Sequence, residues 1–180
     1  MHFSTLTALA AFSATAAFAL PAAENNADIH APYAGPGNYI LQNAATGTVL
    51  DLLNGVQGPN TRINGYKLNP GPHQIWQVSA TGPNDEVTII NSATGAIASC
   101  PKVVNTPNGW FQLVGGEVPI DDYARFQKIT NIDNSVQFKN LATGKCVDLA
   151  ESNPANGTNV LCYDCHPGVG ENQNWGFIKS

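Results

Sequence analysis

The sequence predicts an all-β fold made of three copies of one unit set around a pseudo-threefold axis. Three observations predict it. The first is a repeated opening: Tyr39-Ile40-Leu41-Gln42-Asn43-Ala44-Ala45-Thr46-Gly47, Val87-Thr88-Ile89-Ile90-Asn91-Ser92-Ala93-Thr94-Gly95 and Val136-Gln137-Phe138-Lys139-Asn140-Leu141-Ala142-Thr143-Gly144, whose glycines lie 48 and 49 residues apart. The second is a repeated close: Gln74-Ile75-Trp76, the degenerate Ala124-Arg125-Phe126, and Gln173-Asn174-Trp175, with aromatics 50 and 49 residues apart. The third is local patterning. Apolar runs of about four residues are broken by Asn, Gly and Pro, and no stretch after Asn38 holds a helical period for three turns. Agreement of two independent markers on one period identifies a repeat architecture.

The elements follow in chain order. Residues 1–19 carry no Lys, Arg, Asp or Glu and end in Ala17-Phe18-Ala19, the pattern of a secretory signal peptide cleaved after Ala19. A membrane anchor fits less well, because the stretch is rich in small residues and Pro21 follows at once. Residues 20–37 are dominated by Ala, Asn and Pro without an apolar period, and read as a flexible N-terminal segment. The folded domain is expected over 38–180, with repeats at about 38–80, 86–130 and 135–180. In the first unit Val49-Leu50, Ile63 with Tyr66, and Trp76-Gln77-Val78 fit strands. Closing three four-stranded units on one another leaves few free strand edges, with Trp76, Phe126 and Trp175 filling the core.

Charge excludes several classes of partner. Only 12% of the 180 residues are charged, the net charge is −5, and no Lys or Arg precedes Arg62. Nucleic acid and anionic membrane surfaces both require clustered Lys and Arg, which the chain lacks. An enzyme using paired carboxylates would have to draw on Asp121, Asp122 and Asp133, the one dense acidic group, whose spacing does not converge them.

Three units of this length, each closing on a Gln-x-Trp motif or its remnant, resemble the ricin-B-type lectin domain, a β-trefoil. The third unit carries most of the likeness: Gly144-Lys145-Cys146-Val147-Asp148-Leu149, Asn156-Gly157-Thr158, Tyr163-Asp164-Cys165 and Asn172-Gln173-Asn174-Trp175. The first unit, with Thr46-Gly47-Thr48-Val49-Leu50-Asp51-Leu52, Ile63-Asn64-Gly65-Tyr66 and Gln74-Ile75-Trp76, is similar to secreted fungal members. The resemblance covers Asn38 to Ser180 and is weak in the second unit. It implies a non-catalytic, cofactor-free carbohydrate-binding protein directed at glycans of the galactose or N-acetylgalactosamine type. A trefoil that binds a protein target, as inhibitor or effector, is the competing reading, since the fold hosts many functions.

A neutral sugar presents vicinal hydroxyls and one apolar face. Its site needs a carboxylate or amide for the hydroxyls and an aromatic ring for the face. The candidates are Asp51, Asn64, Tyr66, His73 and Gln74 in unit one, and Asp148, Tyr163, Asn172 and Gln173 in unit three. In the family the Asp accepts from two hydroxyls, the ring stacks, and an amide in or before Gln-x-Trp adds a bond. Here His73 stands where Asn is usual, and Leu161 where a polar group is. Unit two has Ser99 at the Asp position and Ala124 at the Gln position, and is expected to bind nothing. The plainer alternative is that the aspartates fix turns and that Gln74 and Gln173 hold loops.

The resemblance pairs Cys146 with Cys165, a crosslink that secretion permits and that is worth roughly 3 kcal/mol on the entropic account. Cys100 aligns with Leu52 and Leu149; it and Cys162 fall at inward positions, with free thiols the preferred expectation. Cys162-Tyr163-Asp164-Cys165-His166 matches a haem-attachment or zinc pattern, but Cys165 has a competing partner and Met1 goes with the leader. Asn156-Gly157-Thr158 is an N-glycosylation acceptor in a predicted turn.

Overall fold

A computed structural model of the chain describes residues 30–69, 71–116, 120–169 and 171–180. The expected signal peptide lies outside these residues. The described residues form twelve strands joined by turns and single-turn 3-10 helices. They are β1 (Gly37–Asn43), β2 (Val49–Leu52), β3 (Thr61–Tyr66), β4 (Trp76–Ala80), β5 (Glu86–Asn91), β6 (Ile97–Ser99), β7 (Val114–Gly116), β8 (Phe126–Thr130), β9 (Val136–Asn140), β10 (Cys146–Leu149), β11 (Thr158–Tyr163) and β12 (Trp175–Lys179). Each repeat contributes four.

The first and fourth strands of each repeat close a six-stranded antiparallel barrel: β1 pairs β4, β4 pairs β5, β5 pairs β8, β8 pairs β9, β9 pairs β12, and β12 returns to β1. The remaining hairpins, β2–β3, β6–β7 and β10–β11, cap one end, with β3 bridging to β7 and β11. This is a β-trefoil. Closure leaves the barrel strands no free edge.

The repeated sequence markers are the joints of this scaffold. Trp76 and Trp175 are fully buried, and their indole N–H groups donate to Leu50 O (2.9 Å) and Val147 O (3.0 Å), tying the fourth strand of a repeat to its second. Phe126 fills the equivalent place in repeat two without a donor. The Asn that ends each first strand joins one repeat to another. Asn91 Nδ2 donates to the carbonyls of Pro72, His73 and Ile75; Asn140 does the same to Asp122, Tyr123 and Arg125; Asn43 reaches Asn172 and Asn174. Gly47, Gly95 and Gly144 close the turns at φ of 73°, 73° and 68°, a region that favours glycine.

The same symmetry corrects the expectation for two cysteines. In the cap hairpins Leu50 faces Gly65, Ala98 faces Gly115, and Val147 faces Cys162. A side chain added at Gly65 would collide with Leu149, and one added at Gly115 would press on Leu52 Cδ1. Cys100 occupies the position of Leu52 and Leu149 in the remaining repeat, so it meets Cys162. The two form a disulfide, Cα atoms 5.9 Å apart, rather than the expected free thiols. Cys146 pairs with Cys165 as the family resemblance implied. No described cysteine is free, so both thiols of the haem-like pattern are consumed.

The barrel also engages chain before Asn38. His30 N–H donates to Asp133 O, and Tyr33 packs on Phe177 (centroids 4.9 Å apart) and Tyr39 (5.7 Å). From His30 onward, then, the segment expected to be flexible lies against the fold. Burial there pushes the Tyr33 hydroxyl up to about 12.

Candidate functional site

The site-bearing positions are brought together where a cap hairpin meets the turn that precedes the fourth strand. Register places Asp51 opposite Asn64 in repeat one, Ser99 opposite Val114 in repeat two, and Asp148 opposite Leu161 in repeat three. Strand alternation then puts Tyr66 on the same face as Asn64, and Tyr163 on that of Leu161.

In repeat one the turn Pro72–Gln74 delivers two side chains to Asp51. Gln74, fully buried, donates from Nε2 to Asp51 Oδ2 (2.8 Å) and Lys67 O (3.0 Å), and its Oε1 accepts the Asn69 N–H (2.8 Å). His73 Nε2 lies 3.5 Å from Asp51 Oδ2 and 3.2 Å from Asn69 Oδ1. Asn64 is buried, and its Oδ1 has no protein partner. A buried acceptor without a donor is costly unless something else supplies one.

Repeat three repeats the arrangement with different parts. Gln173 Nε2 donates to Asp148 Oδ2 (2.8 Å) and Asp164 O (2.8 Å), while its Oε1 accepts the His166 N–H (3.1 Å). Asn172 Nδ2 donates to Asp148 Oδ1 (3.0 Å) and Leu149 O (2.8 Å). His166 Nε2 is 3.8 Å from Asp148 Oδ2. An open cleft of about 300 Å³ lies over this group, bordered by Asp148, Leu161, Tyr163, His166, Trp110 and Glu151. Tyr163 is half exposed, as a stacking ring must be.

Burial pushes both aspartate carboxyls above the ordinary range; the Gln74 amide and then His73 oppose this at Asp51, and Gln173, His166 and Asn172 oppose it at Asp148. Each carboxylate is therefore a strong, oriented acceptor whose alternative partner, water, has been partly removed.

Three residues at the third-repeat cleft escape a reading of the sequence. His166 is visible there only as the end of a metal-like pattern. Trp110 belongs to the connection between β6 and β7 of repeat two, where the facing pair Ser99 and Val114 is 15 residues apart, against 13 for Asp51 and Asn64 and for Asp148 and Leu161. Glu151 is held at φ 57°, a backbone conformation uncommon for a side-chain-bearing residue. The acidic group considered for catalysis is structural: Asp121 caps a turn by accepting the Tyr123 N–H, Asp122 pairs with Arg125, and Asp133 accepts from Ser135. Asn156 lies in the turn before β11, and its Oδ1 accepts the Lys67 N–H.

A six-stranded barrel capped by three hairpins, with a held carboxylate at the hairpins of repeats one and three, defines a β-trefoil of the binding-domain class. The sequence matches the family described as ricin-type β-trefoil lectin domain-like over residues 28–109 and 122–180, and the chain belongs to that family. Its members are carbohydrate-binding domains. No curated protein matches the chain. Among solved structures, the Rhizoctonia solani agglutinin is 31% identical with a TM-score of 0.70, covering 83% of this chain and 100% of its own. ThreeFoil, a designed threefold-symmetric protein, has a TM-score of 0.73 at 18% identity, covering 80% and 99%. The Macrolepiota procera ricin B-like lectin, solved in complex with lactose, has a TM-score of 0.65 at 21% identity, covering 83% and 100%. The last two likenesses concern the fold alone.

Proposed function

We propose that the protein is a secreted lectin that binds neutral glycans of the galactose or N-acetylgalactosamine type without catalysis, through one site in repeat one and one in repeat three. The observation that carries the reading is the twofold occurrence of one device: a buried Asp on the second strand, clamped by the Gln of Gln-x-Trp. Turn fixation alone gives no reason to repeat the device, nor to set Asp148 at the edge of an open cleft.

In repeat one Asp51 accepts two vicinal hydroxyls, Asn64 supplies its unpartnered oxygen to a third, Tyr66 covers the apolar face, and His73 borders the ligand. In repeat three Asp148, Asn172 and Tyr163 take these roles, His166 replaces the polar group lost at Leu161, and Trp110 adds a second aromatic wall. Gln74 and Gln173 act by holding their carboxylates. The Macrolepiota procera lectin, which shares the fold, was solved with lactose, a galactose-containing disaccharide, and lactose is therefore the first probe for this sugar class. Two disulfides, and a leader-like residue pattern at 1–19, support passage through an oxidising secretory route.

Titration of lactose into wild type, Asp51→Ala, Asp148→Ala and the double variant, with folding verified by circular dichroism, tests the assignment. Hydrogen bonds to a charged acceptor are worth roughly 1.5–3 kcal/mol each, so each single variant should lose at least about tenfold in affinity at its own site. A folded double variant that binds like wild type would show the carboxylates to be turn residues.

A further inference from the structure

We propose that the second repeat carries a third binding site, of different chemistry from the other two: a cleft that takes a carboxylate-bearing saccharide through Arg62. The sequence points to no ligand here, because the Asp and Gln of the other repeats are absent. The same absences open space. Ser99, Gly116 and Ala124 stand where the other repeats carry Asp, Tyr and Gln, and over them lies a cleft of about 640 Å³, about twice that at repeat three.

Its charge is opposite to that of the other two sites. Ser99 brings no carboxylate to the floor. Arg62 reaches the cleft from β3 of repeat one, where it pairs with Val114, and it meets no carboxylate among the described residues. Lys102 stands at the same cleft, 3.2 Å from Asp121 and 5.0 Å from the centre of the Tyr123 ring. Among the described residues, two cations and one carboxylate therefore border the cleft, in a chain whose net charge is −5. A guanidinium offers a planar fork that matches a carboxylate with two hydrogen bonds, which an ammonium cannot do.

A second feature points to hydroxyls beside the anion. Gln112 is buried at the cleft, with Nε2 fixed by the carbonyls of Ile63 (2.7 Å), Val160 (2.8 Å) and Leu113 (3.2 Å). Those bonds lock the amide, and its Oε1 is left without a protein partner. An acceptor held this way is left for water, or for a saccharide hydroxyl that reaches the floor of the cleft. A polyanion is a poorer match, because it requires clustered basic residues and the cleft has two, one of them already paired. A uronic or sialic acid residue offers the matching set: one carboxylate and neighbouring hydroxyls.

The experiment compares methyl β-glucuronide with methyl β-glucoside, which differ in carboxylate against hydroxymethyl. Acetate serves as the plain anion. Each is titrated into the Asp51→Ala/Asp148→Ala double variant, followed by the backbone amide signals of Ser99, Gly116 and Ala124. This separates the cleft from the neutral sites, so failure of one reading leaves the other standing. The glucuronide should shift these signals saturably, with at least about tenfold higher affinity than the glucoside. Arg62→Gln should remove that preference, Arg62→Lys should retain part of it, and Ser99→Asp should abolish glucuronide binding by repulsion. Equal response to glucoside, an equal response to acetate, no response at these amides, or a preference unchanged in Arg62→Gln would each overturn the proposal.

Discussion

Replacing Gln74 by Ala tests whether the Gln of Gln-x-Trp acts through the carboxylate it holds. The side chain is fully buried and makes three hydrogen bonds: to Asp51 Oδ2, to Lys67 O and from Asn69 N–H. The bond to the carboxylate is worth roughly 1.5–3 kcal/mol and the two neutral ones about 1 kcal/mol each, so the variant should lose about 3–5 kcal/mol of stability. At about 2–4 °C per kcal/mol for a domain of this size, the melting temperature should fall by about 6–20 °C. The binding effect is separate. Burial already pushes the Asp51 carboxyl up and Gln74 is the first group opposing it, so removing the amide raises it further. Sugar hydroxyls need the ionised form. Wild-type binding at repeat one should therefore fail on acidification at a pH above the ordinary carboxylate range, and Gln74→Ala should fail at a higher pH still. Stability should respond in the opposite sense. A carboxyl raised on folding contributes stability below its unfolded value and loses it as pH rises through the folded one, so acid that abolishes binding does not weaken the fold through this group. Calorimetric lactose titrations across pH, beside thermal melts, measure both. If Gln74→Ala melts lower yet keeps both the affinity and the acid midpoint of wild type, Gln74 is a loop support and nothing more.

Replacing Cys100 and Cys162 together by Ala removes a crosslink spanning 62 residues, worth about 4 kcal/mol on the entropic account, and should lower denaturant stability while leaving lactose affinity unchanged. Trp110→Ala should weaken binding at repeat three several-fold, most for ligands longer than one sugar, because Trp110 borders both the third-repeat cleft and the neighbouring cleft of about 320 Å³ beside Asn156; equal losses for mono- and oligosaccharides would refute the second role. Mass spectrometry of protein secreted by a eukaryotic host should show an N-terminus near Leu20 and a glycopeptide containing Asn156; an intact Met1 or an unmodified peptide would refute either part.

The scaffold is legible in the sequence because its joints are side chains of fixed type. Asn91 and Asn140 each satisfy three carbonyls of another repeat, and a residue that must donate to several acceptors while accepting turn N–H groups can scarcely be anything but Asn. Trp76 and Trp175 each combine a large buried volume with one donor, a pairing peculiar to Trp. The sites are legible only in their floor, where Asp51 and Asp148 lie on regular strands and register follows from the pattern. Their walls come from elsewhere. Trp110 reaches repeat three from an irregular connection of repeat two, and His166 follows Cys165, whose crosslink to Cys146 anchors it near Asp148. Neither position follows from spacing. The Cys100–Cys162 bond escapes the sequence for a different reason: aligning the repeats places Cys100 with Leu52 and Leu149, but it takes the strand register to place Cys162 with Gly65 and Gly115. Two aligned glycines mark a place where another repeat's Leu presses on the backbone, and a cysteine in both roles of that contact is a crosslink.

That contact also explains why repeat two could change its chemistry without the fold changing. Leu149 over Gly65 and Leu52 over Gly115 hold the cap by close approach of apolar atoms, and the third instance is covalent. Phe126 gives up the indole donor that Trp76 and Trp175 use, and Ala124 the clamp that Gln74 and Gln173 provide, so the second hairpin keeps less of its own bonding; its strands β6 and β7 have three residues each, against four and six in the other repeats. A disulfide worth about 4 kcal/mol offsets losses of that order. If the crosslink compensates in this way, restoring the clamp should relieve it. The pair Ser99→Asp with Ala124→Gln should recover part of the stability lost when Cys100 and Cys162 are replaced, and the two changes should couple in a double-mutant cycle. Purely additive denaturation energies would mean that the crosslink and the missing clamp are unrelated.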